Sequence, residues 1–201
     1  MTYGKIFLKE FGKLLKDSGT SDEYWTTFKY TSTGNNHCHA LTLGLIARAL
    51  SRIKKTRELF IEDHLKHGKI TWKPDIHAVS TDDSHLLIDF ESPNSSDARI
   101  IRKDFLHFSK FLDEGGKISE YIVITSLPSK SSIKDWKFRW GGAGGTNYGH
   151  AKYMNKICKN PKKYWIRFYK KKLSKANIPD LTFKKITFVN MNGKKLEITK
   201  L

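Results

Sequence analysis

The sequence predicts an α/β protein, and three observations lead to that prediction. Apolar residues recur at helical spacing in two stretches, 39–54 and 101–112, which indicates two amphipathic helices. The runs 70–79 and 85–91 between them are rich in apolar residues, as is typical of buried strands. A further β-branched and aromatic run, 121–124, follows the second helix. Helices and strands in this order predict a central sheet flanked by helices.

The first helix is predicted from about residue 39 to residue 54, on four regularly spaced apolar residues: Leu41, Leu45, Ala49 and Ile53. A first strand is expected at 58–64. The runs 70–79 and 85–91 should pair as an antiparallel hairpin, because Thr81-Asp82-Asp83-Ser84 between them has the composition of a tight turn. Three consecutive apolar residues, Leu86-Leu87-Ile88, indicate burial on both faces of the second strand.

The second helix has an apolar stripe and ends at Gly115-Gly116; the stripe is Ile101, Phe105, Phe108 and Leu112. Near the N-terminus a short helix is predicted, with Phe7, Phe11 and Leu14 on one side. The chain is expected to close with a hairpin of 182–190 and 195–199, because Asn192-Gly193 is a strong hairpin turn signal.

Carboxylates cluster in the predicted hairpin. Side chains alternate across a strand, so Asp89 and Glu91 should share one face, and Asp75 should share a face with His77. In a hairpin, Asp75 can lie close to Asp89 or Glu91. Like charges brought together repel one another unless a cation compensates. The cluster therefore predicts a hard divalent ion such as Mg²⁺, which binds carboxylate oxygens and keeps positions for water or phosphate.

At these residues the chain resembles the PD-(D/E)xK nuclease superfamily. Pro74-Asp75 matches the first half of its motif, and Asp89-Phe90 matches the second half. Glu91 stands where the motif has lysine, which is a departure that some active restriction enzymes of the superfamily share. The resemblance covers roughly residues 37–127. It implies a restriction endonuclease-like core of the order α-β-β-β-α-β, with a mixed central sheet.

The resemblance also implies roles for these residues in a metal-dependent endonuclease that hydrolyses phosphodiester bonds in DNA. Asp75 and Asp89 would bind Mg²⁺ or Mn²⁺, and the backbone carbonyl of Phe90 would supply another oxygen. Glu91 would be a further ligand or the group that orients the attacking water. Three basic residues on the following helix are candidates to replace the motif lysine and to bind nucleic acid: Arg99, Arg102 and Lys103.

Many members of the superfamily carry an additional glutamate on the first core helix. Here no acidic residue occurs between Glu23 and Glu58, so that ligand is missing from the expected place. Four other residues are candidates to approach the site, three at the start of the helix and one at the first strand: Asn36, His37, His39 and Glu62. His77 is a candidate supporting partner, or an ordinary polar strand residue.

The charge of the chain predicts a polyanionic partner. The sequence holds 37 Lys and Arg against 20 Asp and Glu, a net charge of +17. Such a surplus favours nucleic acid, and we expect double-stranded or branched DNA, although charge alone does not separate DNA from RNA. Five basic residues of the segment 159–175 are predicted to contact phosphates: Lys162, Lys163, Arg167, Lys170 and Lys171. The aromatic residues among them either stack on bases or pack inward. The glycine-rich loop 140–147 is expected to be a phosphate-binding nest, a mobile loop near the substrate or a flexible connection.

Composition sets the remaining expectations. No apolar run reaches the length of a membrane span, and lysines interrupt any secretory signal, so no membrane partner is expected. Cys38 and Cys158 form no zinc pattern and indicate reduced thiols in the cytoplasm. We expect an N-terminal extension at 1–36, the nuclease core at 37–130 and a basic extension at 131–201. A homodimer would suit cleavage of both strands. The alternatives are a catalytically inactive DNA-binding protein and an RNA-directed protein.

Overall fold

The structure is a computed structural model, and it describes residues 1–17, 35–91, 107–126, 184–192 and 195–200. Two helices lie within these ranges, α1 (Tyr3–Lys16) and α2 (Asn35–Ser51), and residues 107–113 are also helical. The strands within the same ranges are β1 (Thr56–Ile61), β2 (Leu65–His67), β3 (Ile70–Trp72), β4 (Ile76–Ser80), β5 (His85–Glu91), β6 (Glu120–Ser126), β7 (Ile186–Asn192) and β8 (Lys195–Lys200).

Six of the strands form one mixed sheet in the order β1-β4-β5-β6-β7-β8. β5, β6 and β7 run parallel to one another, whereas the pairs β1–β4, β4–β5 and β7–β8 are antiparallel. β2 and β3 form a separate antiparallel pair. The predicted α/β class is therefore confirmed. Among the described residues no helix has the length and apolar character needed to cross a membrane.

The central hairpin of β4 and β5 is present as predicted. Its register sets Ile76 opposite Ile88 and Ala78 opposite Leu86. The turn is closed by backbone hydrogen bonds from Asp83 N to Ser80 O at 3.0 Å and from Ser80 N to Ser84 O at 3.1 Å. Leu86, Leu87 and Ile88 are all fully buried, so β5 is covered on both faces. The apolar run of this strand is therefore explained by its central position in the sheet.

The prediction of one continuous strand over residues 70–79 is wrong. The chain forms β3 and then β4, and β3 pairs with β2 rather than with β5. The interruption falls at residues 73–75, because Pro74 has no amide hydrogen for a sheet and restricts the backbone of the residue before it. Trp72, at the end of β3, is only 2% exposed, so the break is anchored on its N-terminal side. Asp75 thus lies in a bend just before β4.

One face of the sheet is covered by α1 and α2. The N-terminal helix was predicted with Phe7, Phe11 and Leu14 on one side, and all three are buried. The rings of Phe7 and Phe11 stack with their centroids 5.5 Å apart. The core on this face also includes residues of both helices and of four strands, with Leu59 of β1 packed against it: Leu15, Ile46, Ala49, Leu50, Ile76, Ala78, Leu86, Ile88, Phe90, Ile122, Ile124, Val189 and Met191.

The buried stripe of α2 differs from the predicted one. Of the predicted stripe, Ala49 and Ile53 are buried but Leu41 and Leu45 are only partly buried, and Leu43, Ile46 and Leu50 also face the core. The helix also begins earlier than expected, at Asn35, and ends at Ser51. A strict four-residue repeat drifts by about 40° per step around a helix of 3.6 residues per turn, so its members cannot all lie on one buried face. The buried face of α2 is set by its packing against α1 and the sheet, and the spacing of apolar residues alone did not predict it accurately.

An aromatic cluster covers the other face of the sheet. Successive residues of β6 alternate, so that Ile122 points to the helices α1 and α2 and Tyr121 points away from them. Tyr121 contacts Phe108 of the helical segment 107–113, with centroids 4.8 Å apart, and meets Trp72 edge-on at 5.4 Å. Helical residues therefore pack against both faces of the sheet.

Both ends of the chain contribute to this fold. α1 supplies a large part of the core, and β7 and β8 continue the sheet beyond β6. The C-terminal hairpin is confirmed as an antiparallel pair, with Asn192 opposite Lys195. The division into extensions at 1–36 and 131–201 stays a prediction.

Candidate metal centre

Asp75 and Asp89 face each other where the bend before β4 meets β5. The β4–β5 register, continued by one residue beyond Ile76 and Ile88, sets the two residues opposite each other. The backbone N–H of Asp75 donates to Asp89 Oδ1 at 2.9 Å. The N–H of Phe90 donates to Asp75 Oδ2 at 2.7 Å. Each carboxylate therefore accepts a backbone hydrogen bond from the segment that carries the other, and their relative position is fixed by the main chain.

Asp89 is a nearly buried carboxylate, with 4% of its surface exposed. The hydroxyl of Tyr121 donates to Asp89 Oδ2 at 2.5 Å. Tyr121 is itself fully buried in the aromatic cluster on that face of the sheet. A buried carboxylate is costly without hydrogen-bond donors, and the Tyr121 hydroxyl and the Asp75 amide meet that need.

His39 approaches Asp75 from α2. Its Nε2 lies 3.1 Å from Asp75 Oδ1, and its side chain is 33% exposed. The ring is tilted against that of Phe90, with centroids 6.1 Å apart. The hydrogen bond to Asp75 raises the pKa of His39 above its ordinary 6.5, and burial opposes this effect. Sequence reasoning named His39 as a candidate because of its place at the start of the helix.

Glu62 joins the same group from the chain that follows β1. Its backbone has a φ of 50°, in the left-handed region that non-glycine residues seldom adopt. This conformation is held by a hydrogen bond of 2.8 Å from Glu62 N to Asp75 O. Ligand atoms of His39, Glu62 and Asp75 all lie within 4.8 Å of one another. The three side chains thus form a cluster that offers one nitrogen and two carboxylates to a metal ion.

Lys73 lies beside this cluster. Its Nζ is 3.7 Å from Glu62 Oε1, and its side chain is 47% exposed. Its charge also acts on His39, where it lowers the pKa against the stronger effect of Asp75. Sequence reasoning missed Lys73, although its place two residues before Asp75 was a visible signal.

Most of the remaining predicted site residues have side chains outside the described residues. Glu91 ends β5 and pairs with Thr125 of β6, but its side chain lies outside the described residues. The glycine-rich loop 140–147 lies wholly outside the described residues. So do the predicted nucleic-acid-binding residues Arg99, Arg102, Lys103, Lys162, Lys163, Arg167, Lys170 and Lys171. Asn36 and His37 lie in the first turn of α2, with side chains that are likewise outside the described residues.

His77 takes a different position from the one its predicted face suggested. Its Nε2 lies 3.0 Å from Nδ1 of His85, and its ring stacks on those of Phe60 and His85. Burial and the charge of His85 lower the pKa of His77 to about 4. Asp75 lies in the bend before β4, so strand alternation does not relate it to His77. His77 belongs to this histidine pair, which the sequence did not reveal.

Comparisons of the chain with protein-family models, with curated proteins and with solved structures gave no match.

Proposed function

We propose that this protein is a divalent-metal-dependent endonuclease that hydrolyses phosphodiester bonds in DNA. The proposal is carried by one observation: His39, Glu62 and Asp75 bring their ligand atoms within 4.8 Å of one another in a chain of net charge +17. Acidic groups that converge in a strongly basic protein are suited to a cation held against a phosphate backbone. The resemblance of Pro74-Asp75 and Asp89-Phe90-Glu91 to the PD-(D/E)xK motif supports the same reading, with a restriction endonuclease-like core around them.

The ligand atoms of the cluster, one histidine nitrogen and two carboxylates, indicate which metal ion fits the site. Two carboxylates suit Mg²⁺ and Mn²⁺ alike, because both are hard ions that prefer oxygen. The imidazole of His39 favours Mn²⁺, since nitrogen ligands suit transition metals better than Mg²⁺. We therefore propose Mn²⁺ as the tighter ion and Mg²⁺ as the weaker one. Such an ion lowers the pKa of bound water and offsets the charge that develops on the phosphate.

The residues around the cluster have distinct tasks in this proposal. Asp89 accepts the 2.9 Å hydrogen bond from the Asp75 backbone and so helps to position Asp75, and its role as a metal ligand stays a prediction. Lys73 now neutralises part of the charge of Glu62 at 3.7 Å. If Glu62 bound a metal, Lys73 would be free to stabilise charge on a phosphate, and stabilising charge is part of what the motif lysine does in active members of the superfamily. Glu91 remains the proposed further ligand or water-orienting group.

The test is a cleavage assay on plasmid, branched DNA and RNA with Mn²⁺ or Mg²⁺, combined with calorimetry of Mn²⁺ binding. Asp75→Asn and His39→Ala should each weaken Mn²⁺ binding and reduce cleavage by about a hundredfold or more, because each removes a ligand. The matched control is Asp113→Asn, which changes an exposed carboxylate on the helical segment 107–113 and should leave both measurements unchanged.

Each failure has its own meaning. If the protein binds DNA tightly but cleaves no substrate, it is the catalytically inactive DNA-binding protein, a reading that Glu91 in place of the motif lysine favours. If only RNA is cleaved, the enzyme is RNA-directed. If Asp75→Asn binds Mn²⁺ as well as the unaltered protein does, the proposed ligand set is wrong.

A further inference from the structure

A second candidate site lies on the α1 side of the sheet, among β6, β7 and β8 rather than at the metal cluster. A cavity of about 340 Å³ opens there between the N-terminal half of α1 and these strands. Its walls combine three lysines with three aliphatic residues, namely Lys5, Lys9, Lys200, Leu8, Ile122 and Ile198. The volume is at the lower end of the range of about 300–1,000 Å³ that is usual for small-molecule pockets.

The cavity is a wedge formed because α1 and β8 diverge. At the closed end, a Cβ on Gly12 would lie 3.6 Å from Leu196 Cδ1, so helix and strand are in close contact. Leu196, Ile198 and Lys200 follow one another on the same face of β8. Leu196 packs against the core, whereas Ile198 is 52% exposed in the open part of the wedge. The apolar floor is thus continuous with the core, because Leu8 and Ile122 are buried and Ile198 is its exposed part.

The rim of the wedge is positively charged. Lys5 and Lys9 are one turn apart on α1 and so share a side of the helix, and Lys200 comes from β8. All three are exposed, and within the described part of the chain none has an ion-pair partner. Glu120 also lines the wedge, but its carboxylate accepts from Thr2 Oγ1 at 2.7 Å and from Gly4 N. These donors hold the carboxylate at the helix N-terminus, and the three lysines outnumber this one acid, so the rim keeps a net positive charge.

The floor decides what kind of anion fits. Of the described residues that line the wedge, none is aromatic, so a nucleic-acid base would find no ring on which to stack. Leu8, Ile122 and Ile198 instead offer aliphatic surface. We propose that the wedge binds a small amphiphilic anion, in which an alkyl chain lies on these residues and a carboxylate or phosphate head contacts Lys5, Lys9 and Lys200. The three lysines and the exposed aliphatic side chain of Ile198 together select this class of ligand.

The test uses decanoate and decyl phosphate below their micellar concentrations, with binding measured by calorimetry and by methyl NMR signals of Leu8, Ile122 and Ile198. We expect one saturable site. The triple variant Lys5→Gln, Lys9→Gln, Lys200→Gln should weaken binding by roughly tenfold or more, since each exposed charge pair contributes modestly. Ile198→Glu should also weaken binding, and it alters a half-exposed residue outside the packed core.

The matched control is the triple variant Lys54→Gln, Lys69→Gln, Lys195→Gln, which removes the same charge from exposed positions outside the wedge. It should change the affinity by no more than about twofold, because distant surface charges are screened. Neutral decyl maltoside should bind more weakly than either anion. The proposal is overturned by absence of a saturable site, by equal loss in the two triple variants, or by a DNA oligonucleotide that shifts the same methyl signals where the alkyl anions do not. None of these measurements depends on metal or on cleavage.

Discussion

The buried carboxylate of Asp89 is held by hydrogen-bond donors from two neighbouring segments of the sheet. The buried Asp89 accepts from the Tyr121 hydroxyl at 2.5 Å and from the Asp75 amide at 2.9 Å. Removing either donor leaves a buried oxygen with fewer hydrogen bonds, which costs more than the loss of an exposed contact. The position of Asp89 beside the candidate metal centre therefore depends on Tyr121, a residue of the aromatic cluster.

Tyr121→Phe tests this dependence. We expect the free energy of unfolding, from urea denaturation, to fall by about 1.5–3 kcal/mol, since the lost hydrogen bond is to a carboxylate. The matched control is Tyr3→Phe, which removes a hydroxyl 2.8 Å from Thr56 Oγ1 and should cost about 1 kcal/mol because both groups are neutral. Equal losses in the two variants would contradict a special role for Tyr121.

His77 gives a second prediction at this scale, for pH dependence. Its pKa in the folded protein is about 4, against 6.5 for an ordinary histidine, and Glu58 and Asp63 only partly oppose the shift. The unfolded chain therefore binds more protons than the folded one between these values. The neutral His77 ring therefore makes its full contribution to the free energy of unfolding above pH 6.5. This contribution decreases as the pH drops toward 4, by up to about 3 kcal/mol.

His77→Phe keeps a ring beside Phe60 and His85 but removes this titration. The difference in unfolding free energy between the unaltered protein and the variant should therefore change with pH across that window, as measured by urea denaturation at a series of pH values. His64→Gln, at an exposed position, is the control and should leave the pH profile unchanged. A pH-independent difference for His77→Phe would show that the ring is not kept neutral by burial.

At the scale of elements, close approaches decide how α1 meets the sheet. An added Cβ at Gly4 would lie 2.5 Å from Glu120 Oε2, so the carboxylate that accepts from Gly4 N and Thr2 would have to move. Gly44 lies exposed in α2, where an added Cβ would meet nothing within 4 Å. Two glycines in helices therefore occupy opposite environments.

The same substitution at these two positions should have opposite signs. Gly4→Ala should destabilise the protein by about 1–2 kcal/mol, because the hydrogen bonds to Glu120 are lost. Gly44→Ala should stabilise it by about 0.5–1 kcal/mol, because alanine loses less backbone entropy in a helix. Thermal and urea unfolding measure both changes. Stabilisation at both positions would mean that the Glu120 contact with α1 adds nothing to stability.

At the scale of the whole molecule, the surplus of basic residues predicts how nucleic acid should bind. The protein has a net charge of +17, so it should bind duplex DNA largely through the DNA phosphates and release counterions from them. The affinity, measured by fluorescence anisotropy, should fall by roughly tenfold to a thousandfold between about 50 and 200 mM salt. An uncharged peptide nucleic acid of the same sequence is the control and should show little binding. An affinity for DNA that does not change with salt would rule out this electrostatic mode.

Several features of this protein could be predicted from short stretches of its sequence, without the tertiary structure. Strand alternation and the turn Thr81–Ser84 predicted the β4–β5 hairpin, and with it the proximity of Asp75 and Asp89. Helical spacing predicted α1, and Asn192-Gly193 predicted the last hairpin. These features succeed because each depends on residues close in sequence, whose geometry follows from side-chain periodicity and turn chemistry. The break at Pro74 was also a local signal, and the strand prediction over 70–79 overlooked it.

The tertiary structure alone decided which side chains surround Asp75 and Asp89. His39 and Asp75 are 36 residues apart, and Tyr121 and Asp89 are 32 apart. Their contacts depend on the angle at which α2 crosses the sheet and on the parallel pairing of β5 with β6. Glu62 joins the cluster through a left-handed backbone that a hydrogen bond to Asp75 holds in place. No short-range periodicity encodes such pairs, because they form only when separate elements pack together.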